Sequence, residues 1–538
     1  MPENPATGAG DAVLGLPAPA GEPGDAVPGL LAAGNLPSSA PDALPSPEGE
    51  PVPAPHGGVL RRILTYAPSS LVPALLTLAT SMIFTRVFSA AAFGAYSLFL
   101  VVANPVKLVA TTWLAQSTGK YLPSAATVER VRDVKEAVYL SLMTILIVEG
   151  VLGLAAFAVA YPLMSGNRHG LLVAAIVFVV VTSAFDQVNN VFTDEHRAGQ
   201  YVIFKLTDSV ITFALRLLLV SAVVRMDIQL MFWSVAVSNL VLVPFMWGRA
   251  GMLPPSAYLR TLRSPKARAL TWALLGFGVP MTVWYFCSIL LDVGDRFVIN
   301  HFLGAAPVGI YDANYRLVAG SAALVVVPVT TTLHPYLMSV SAGGDSGRIG
   351  RVIAAVVENL LVAGGLAVGM VLVFHADLAR VMLGPEFREG SLVMPLVLAG
   401  VFFFNIGIFV HKPFEIISRT RTMVVFAAIS AAANVAFCFL LIPWLGYLGA
   451  AWATLLAYAL YTVGVGALGR RIHPWRIDLR WLSGHAALIG GGVVLVWGLR
   501  AVAVGHLPYW WGIAVSVVAA GAVSATALFG LLRRRSAY

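Results

Sequence analysis

Charge is what this sequence has least of. Only 11% of its 538 residues are Asp, Glu, Lys or Arg, and 58% are hydrophobic, whereas a soluble globular chain carries about a quarter charged residues. That scarcity excludes a soluble protein. Cysteine is nearly absent too. Cys287 and Cys438 stand in apolar runs far apart in sequence, so neither a disulfide framework nor a cysteine metal site is implied. Residues 1–60 hold seven acidic residues and no Lys or Arg, which excludes the basic start of a signal peptide. Catalytic motifs are missing: there is no HExxH, GxSxG, P-loop or CxxC, and Asp194-Glu195-His196 lacks metal-site spacing. No segment beyond residue 60 has room for a soluble catalytic domain. A membrane polymerase or ligase of glycans would need a sizeable outer loop bearing Arg or His, and none is present.

What is present is apolar sequence in long runs. Residues 1–58 hold 13 of the 32 prolines, with much Ala, Gly and acid. Such a segment cannot bury enough apolar surface to offset its ordering entropy, and a disordered cytoplasmic tail is expected there. Beyond it lie runs long enough to cross a bilayer, which takes about 20 residues. They fall at 63–88, 92–115, 137–161, 170–192, 200–223, 228–248, 274–303, 307–333, 352–374, 391–411, 422–442, 446–468, 484–505 and 509–532. The expected fold is therefore an all-α polytopic membrane protein of fourteen transmembrane helices. With the N-terminus placed in the cytoplasm, the inside segments hold 24 of the 35 Lys and Arg and the outside segments 6. The other 5 lie at membrane depth: Lys107, Lys205, Arg216, Arg296 and Arg316. This bias follows the positive-inside rule and predicts cytoplasmic N- and C-termini. It also accounts for the net charge of +9 without nucleic acid.

An internal repeat appears when the sequence is shifted by 215 residues. IFTRVFSAAAFGAYSLF, from Ile83, then falls on VINHFLGAAPVGIYDAN, from Val298, matching Ala90 with Ala305, Ala91 with Ala306, Gly94 with Gly309 and Tyr96 with Tyr311. Both stretches are turns after an odd-numbered span, six spans apart. The repeat predicts two parallel six-helix lobes, 59–250 and 274–468, around a central cavity, a transporter design. A basic cytoplasmic linker, 251–273, joins them. Two extra helices and a basic cytoplasmic end, 469–538, follow.

The repeat is unequal in charge. Asp292, Asp295, Arg296, Asp312 and Arg316 in the second lobe stand opposite Thr77, Thr80, Ser81, Ser97 and Val101 in the first. With a turn near Gly304–Pro307, Arg296 lies about 12 Å, Arg316 about 14 Å and Asp292 about 18 Å below that turn. A charge facing lipid there costs about 2.5–3.5 kcal/mol, so these groups face protein or a wet cavity. Two readings stay open: an interhelical salt-bridge network, for instance Asp295 with Arg316, or a cavity wall that binds an anionic group or titrates. Tyr311 and Tyr315, four apart, either offer a sugar-stacking surface or sit as interface aromatics. Arg216 on span 5 and Lys107 beside Pro105 on span 2 are further cavity candidates. Lys205 with Asp208 reads as a local i, i+3 pair. Glu149, Asp186 and Asp292 are candidates for carrying a proton or sodium ion. No metal site or cofactor is expected.

DRFVINHFLGAAPVGIYDANYRL, entering span 8, resembles the signature of bacterial O-antigen and exopolysaccharide repeat-unit flippases. These form the polysaccharide-transporter branch of the multidrug/oligosaccharidyl-lipid/polysaccharide flippase superfamily. LGYLGAAWATLLAYAL at 445–460 and FTRVFSAAAFGAYSL at 84–98 are similar to that family's span 11–12 region and span 1–2 turn. The resemblance covers about residues 60–532; the Pro-rich tail departs from it. It implies a flippase, not an enzyme, that moves undecaprenyl-pyrophosphate-linked oligosaccharide from the inner to the outer leaflet of the bacterial inner membrane. It also implies alternating access of two lobes, a cavity with basic residues, and coupling to protons or sodium. Membrane lipids and the polysaccharide polymerase and export machinery are the implied partners. An ion-coupled drug or metabolite antiporter of the same superfamily is the alternative. It favours acidic groups without matched basic ones.

Overall fold

The computed structural model describes residues 58–125, 127–164, 168–222, 227–342, 346–417 and 419–535; the tail expected before residue 58 lies outside them. The described residues form helices and no strands. In the first half these are α1 Gly58–Val87, α2 Ala90–Tyr121, α3 Val128–Ala160, α4 Arg168–Asp194, α5 Ala198–Ala222, α6 Leu230–Arg249 and the short α7 Tyr258–Arg263. The second half has α8 Pro265–Val293, α9 Asp295–Leu303, α10 Ala305–Ala342, α11 Ser346–Met382, α12 Val393–Val410, α13 Lys412–Ile416, α14 Thr420–Leu445 and α15 Tyr447–Ile472. The chain closes on α16 Leu479–His506 and α17 Tyr509–Arg535.

Local chemistry sets the helix ends. The side chains of Ser89, Thr127, Ser264 and Asp478 accept from backbone N–H groups in the first turns of α2, α3, α8 and α16, satisfying donors that have no partner inside the helix. Gly304 separates α9 from α10 at φ 87°, a conformation that costs glycine little and other residues more. The turn expected near Gly304–Pro307 is thus where it was placed. The linker expected over 251–273 is partly helical: α7 occupies its middle and α8 begins at Pro265, nine residues before the expected span.

All fourteen apolar runs coincide with helical segments. On length and composition ten of the described helices are able to cross a membrane, and eleven when the bent α8–α9 pair counts as one span. Much of their apolar surface is uncovered by protein. Val148, Val151, Leu152 and Leu154 of α3 and Val494, Leu495 and Trp497 of α16 are exposed, which suits hydrocarbon and not water. The chain is a multi-pass membrane protein.

Helix packing repeats. Contacts of α2 with α3 and α4, of α3 with α4, of α4 with α6, and of α5 with α6 recur as α10 with α11 and α12, α11 with α12, α12 with α15, and α14 with α15. The contact of α1 with α5 recurs as that of α8 and α9 with α14. Between the halves, α2 meets α8 as α10 meets α1, and α2 and α10 meet each other. The α2–α10 crossing is reciprocal. A Cβ on Gly94 would overlap the Ala305 carbonyl, and one on Gly309 would overlap the Ala90 carbonyl. Gly94 and Gly309, like Ala90 and Ala305, are partners in the 215-residue repeat. Reciprocal contact of matched residues marks a two-fold relation.

The same end of the bundle is closed by a second set of contacts. Gly384 N–H donates to Thr85 Oγ1 at 3.0 Å, Ala90 N–H to Glu386 Oε2 at 2.8 Å, and Arg86 Nη2 to the Val381 carbonyl at 2.6 Å. Phe93 meets Phe387 edge to face, with ring centroids 5.6 Å apart. At the far side α16 and α17 pack on α11. Asp377 of α11 holds Arg500 at 2.8 Å and accepts from Tyr509.

Candidate functional site

The charges of spans 7 and 8 form one network. Arg296, 2% exposed, lies at its centre. Its Nη1 donates to Asp295 Oδ1 at 2.7 Å, and its Nε and Nη2 donate to Asp312 Oδ1 at 3.2 Å. Nη1 also donates to the Asp292 carbonyl. That carbonyl is the one to which a continuous helix would offer the Arg296 N–H. The side chain competes for it where the helix is interrupted at Gly294, between α8 and α9. Tyr311 donates to Asp295, and Tyr315 to Asp292. The Arg296 guanidinium sits 4.1 Å from the Tyr315 ring centroid, a cation–π contact. From α15, Thr454 donates to Asp295 at 3.2 Å and Tyr458 to Asp292 at 3.3 Å.

The geometry changes the expected pairing. Asp295 pairs with Arg296, and Arg316 donates instead to Asp312, one turn before it. Asp312 thus bridges two arginines. Asp295, Asp312 and Tyr311 are fully buried and Tyr315 is nearly so. With their hydroxyls donating to carboxylates, Tyr311 and Tyr315 do not offer the sugar-stacking surface considered for them. A buried ion pair survives only when its remaining hydrogen-bonding capacity is met, and the tyrosines and Thr454 meet it here. Arg316 is the more open of the two arginines, with 34% of its side chain exposed against 3% for Arg296. Asp292 is half-buried.

The first half supplies a second group. Lys107 of α2 binds Asp186 of α4 at 2.8 Å, and Lys205 of α5 lies 3.9 Å from the same carboxylate. The expected Lys205–Asp208 pair therefore gives way to Lys205–Asp186; Asp208 accepts from Ser238 at 2.8 Å. Arg216 donates to Ser234 Oγ at 3.0 Å and to the Met231 carbonyl at 3.4 Å, both neutral acceptors. Tyr96 of α2 lies within Coulombic range of both Arg216 and Arg316. Glu149 accepts from Ser183 at 2.8 Å.

These positions share a register. Tyr96 and Lys107 on α2 are 11 residues apart, as are Lys205 and Arg216 on α5. Eleven residues make about three turns, so each pair keeps one helix face and spans about 16 Å. Lys107 with Lys205 form one level, and Arg216 with Arg316 around Tyr96 the other. Such an arrangement can hold an anion at either level, with Arg offering bidentate hydrogen bonds to phosphate. No group of three or more His, Cys, Asp or Glu placed to hold a metal occurs among the described residues. The partners missed from sequence, Thr454, Tyr458, Ser183, Ser234 and Ser238, are small or aromatic hydroxyls on apolar helices. Only Tyr96 carried a signal, its repeat match to Tyr311.

The model of the polysaccharide biosynthesis protein family matches residues 59–341. Among solved structures, a lipid II flippase MurJ in an inward closed conformation shares the fold at a TM-score of 0.65 and 12% identity, over 88% of this chain and 100% of that one. An inward-facing multidrug resistance MATE family transporter of the MOP superfamily does so at 0.58 and 14%, over 77% of this chain and 95% of that one. No curated protein matches the chain closely enough to count as a relative.

Proposed function

The chain belongs to the polysaccharide biosynthesis protein family, and from that premise we propose that it is a flippase for undecaprenyl-pyrophosphate-linked oligosaccharide repeat units. In this reading it sits in the bacterial inner membrane with both termini in the cytoplasm, and its two six-helix lobes alternate access to a central cavity. The observation that carries the reading is the two-level set of cations. A pyrophosphate leaves the headgroup region only if charge is offered to it inside the membrane. Arg216 and Arg316 offer that charge from opposite lobes, and Lys107 with Lys205 offer it about 16 Å away along the helix axes. The fold shared with the lipid II flippase supports the same transport class. The reading makes the protein a transporter and not an enzyme. It includes coupling to protons or sodium through Glu149, Asp186 or Asp292, and delivery of product to the polysaccharide polymerase and export machinery.

The test is made in cells. Removing the protein should make lipid-linked repeat units accumulate on the cytoplasmic side and deplete surface polysaccharide. Wild type should restore both, and Arg316→Ala, present at equal abundance, should not. Unchanged surface polysaccharide with no accumulated intermediate would refute the reading.

A further inference from the structure

Two carboxylates in this protein each bridge two cations, and they differ in access. Asp312 lies between Arg296 and Arg316 with none of its side chain exposed. Asp186 lies between Lys107 and Lys205 with 35% of its side chain exposed, against 14% and 33% for the lysines. The three side chains come from α4, α2 and α5 and meet inside the first lobe. Charged groups at membrane depth keep open surface toward a wet cavity, not toward lipid. Lys107 Nζ holds Asp186 Oδ2 at 2.8 Å, whereas Lys205 Nζ stands 3.9 Å from Oδ1, too far for a hydrogen bond. The acids nearby face other partners: Asp208 accepts from Ser238 and Glu149 from Ser183.

An ion pair this open contributes little stability, so an anion of higher charge can take its place. Pyrophosphate oxygens make short, charge-assisted bonds to ammonium groups, and Lys205 is not hydrogen-bonded to the carboxylate. The exchange does not remove Asp186. It stays beside the bound anion as a like charge and weakens its hold. The arginine level lacks such a competitor. Asp295 and Asp312 are sealed, and Arg216 donates to neutral acceptors. Along α2, Tyr96 at the arginine level is about 9 Å from Ala90 in the sealed end, and Lys107 is about 26 Å from it. We propose that Asp186 is a built-in competitor for the two lysines. It makes their level a weak, transient station that passes an anion on to the arginines. A station must bind well enough to admit its cargo and weakly enough to release it. The identity of the anion and its direction of travel rest on the repeat-unit reading. The role given to Asp186, setting affinity by competition, is separate from ion coupling.

Equilibrium dialysis of inorganic pyrophosphate against the purified full-length protein in detergent tests this. Arg316→Ala serves as the background, so that the lysine level dominates the signal. Adding Asp186→Asn should tighten binding about tenfold, and adding Lys107→Gln should weaken it about tenfold. Asp186→Ser, a second neutral variant, should tighten it likewise, and Asp186→Glu, which keeps the charge, should not. A thermal melt of each variant reports folding. In proteoliposomes, Asp186→Asn alone should lower both the half-saturating concentration of repeat unit and the maximal rate, because release slows. A purely structural Asp186 predicts the reverse, misplaced lysines and weaker pyrophosphate binding. No tightening by either neutral variant, or no saturable binding in the Arg316→Ala background, overturns the proposal, even where wild type transports repeat units normally. Tightening without any repeat-unit transport by wild type supports the competing anion and refutes the glycan reading instead.

Discussion

Arg296 and Arg316 carry the same charge on adjoining helices, yet their surroundings assign them opposite roles. Arg296 is enclosed by Asp295, Asp312, Tyr311 and Tyr315. Arg296→Ala leaves the buried Asp295 without a cation and Asp312 with Arg316 alone, and should cost about 3–5 kcal/mol, read as a large drop in the detergent melting temperature. Arg316 is about a third exposed and has one carboxylate partner, so Arg316→Ala should cost about 1 kcal/mol or less while abolishing transport. Exchanging Asp312 with Arg316 should not restore function, because Asp312 also holds Arg296. A functional exchange would mean that the pair acts only as a local bridge. The sequence placed all five charges at membrane depth through simple rise per residue. It could not choose their partners. Pairing depends on the break at Gly294 and on Thr454 and Tyr458, which arrive from α15 more than 150 residues away.

At the scale of helices, the α2–α10 crossing rests on two glycines. A methyl group on Gly94 or Gly309 meets backbone carbonyl, which cannot rotate aside. Gly94→Ala and Gly309→Ala should each destabilise by about 1–3 kcal/mol, and by similar amounts, because the contact is reciprocal. Gly490→Ala on α16, where nothing lies within 4 Å, should be neutral by the same melting assay. This crossing was partly legible in advance. Four identities at a shift of 215 residues marked the two turns, and the glycine match among them now has a steric cause. The all-helical membrane fold was legible because apolar runs set it, whereas of the fourteen spans expected ten, or eleven with the bent α8–α9 pair, meet the length and composition of a membrane span among the described residues. The Lys205–Asp186 pair was not, because i, i+3 spacing names the nearest acid on the same helix and α4 supplies a closer one.

For the whole molecule, the proposed alternating access makes the sealed end one of two states. Thr85, Ala90 and Arg86 of the first half grip Val381, Gly384 and Glu386 of the second. Losing such contacts shifts population only if they are absent from the other state. Glu386→Ala should therefore lengthen the distance distribution between spin labels at Ala91 and Glu389, both exposed, without changing the fold. An unchanged distribution would show that this seal does not select between states.

The claim that the cations of the two lobes carry a pyrophosphate-linked glycan across the bilayer is tested most directly in proteoliposomes. The purified protein is reconstituted, and the leaflet of a labelled undecaprenyl-pyrophosphate oligosaccharide is followed by lectin capture from outside. Transfer should be fast with wild type, absent with Arg316→Ala, and strongly reduced with Lys107→Gln. Transfer by wild type no faster than in protein-free vesicles, or undiminished by Arg316→Ala, would contradict the account.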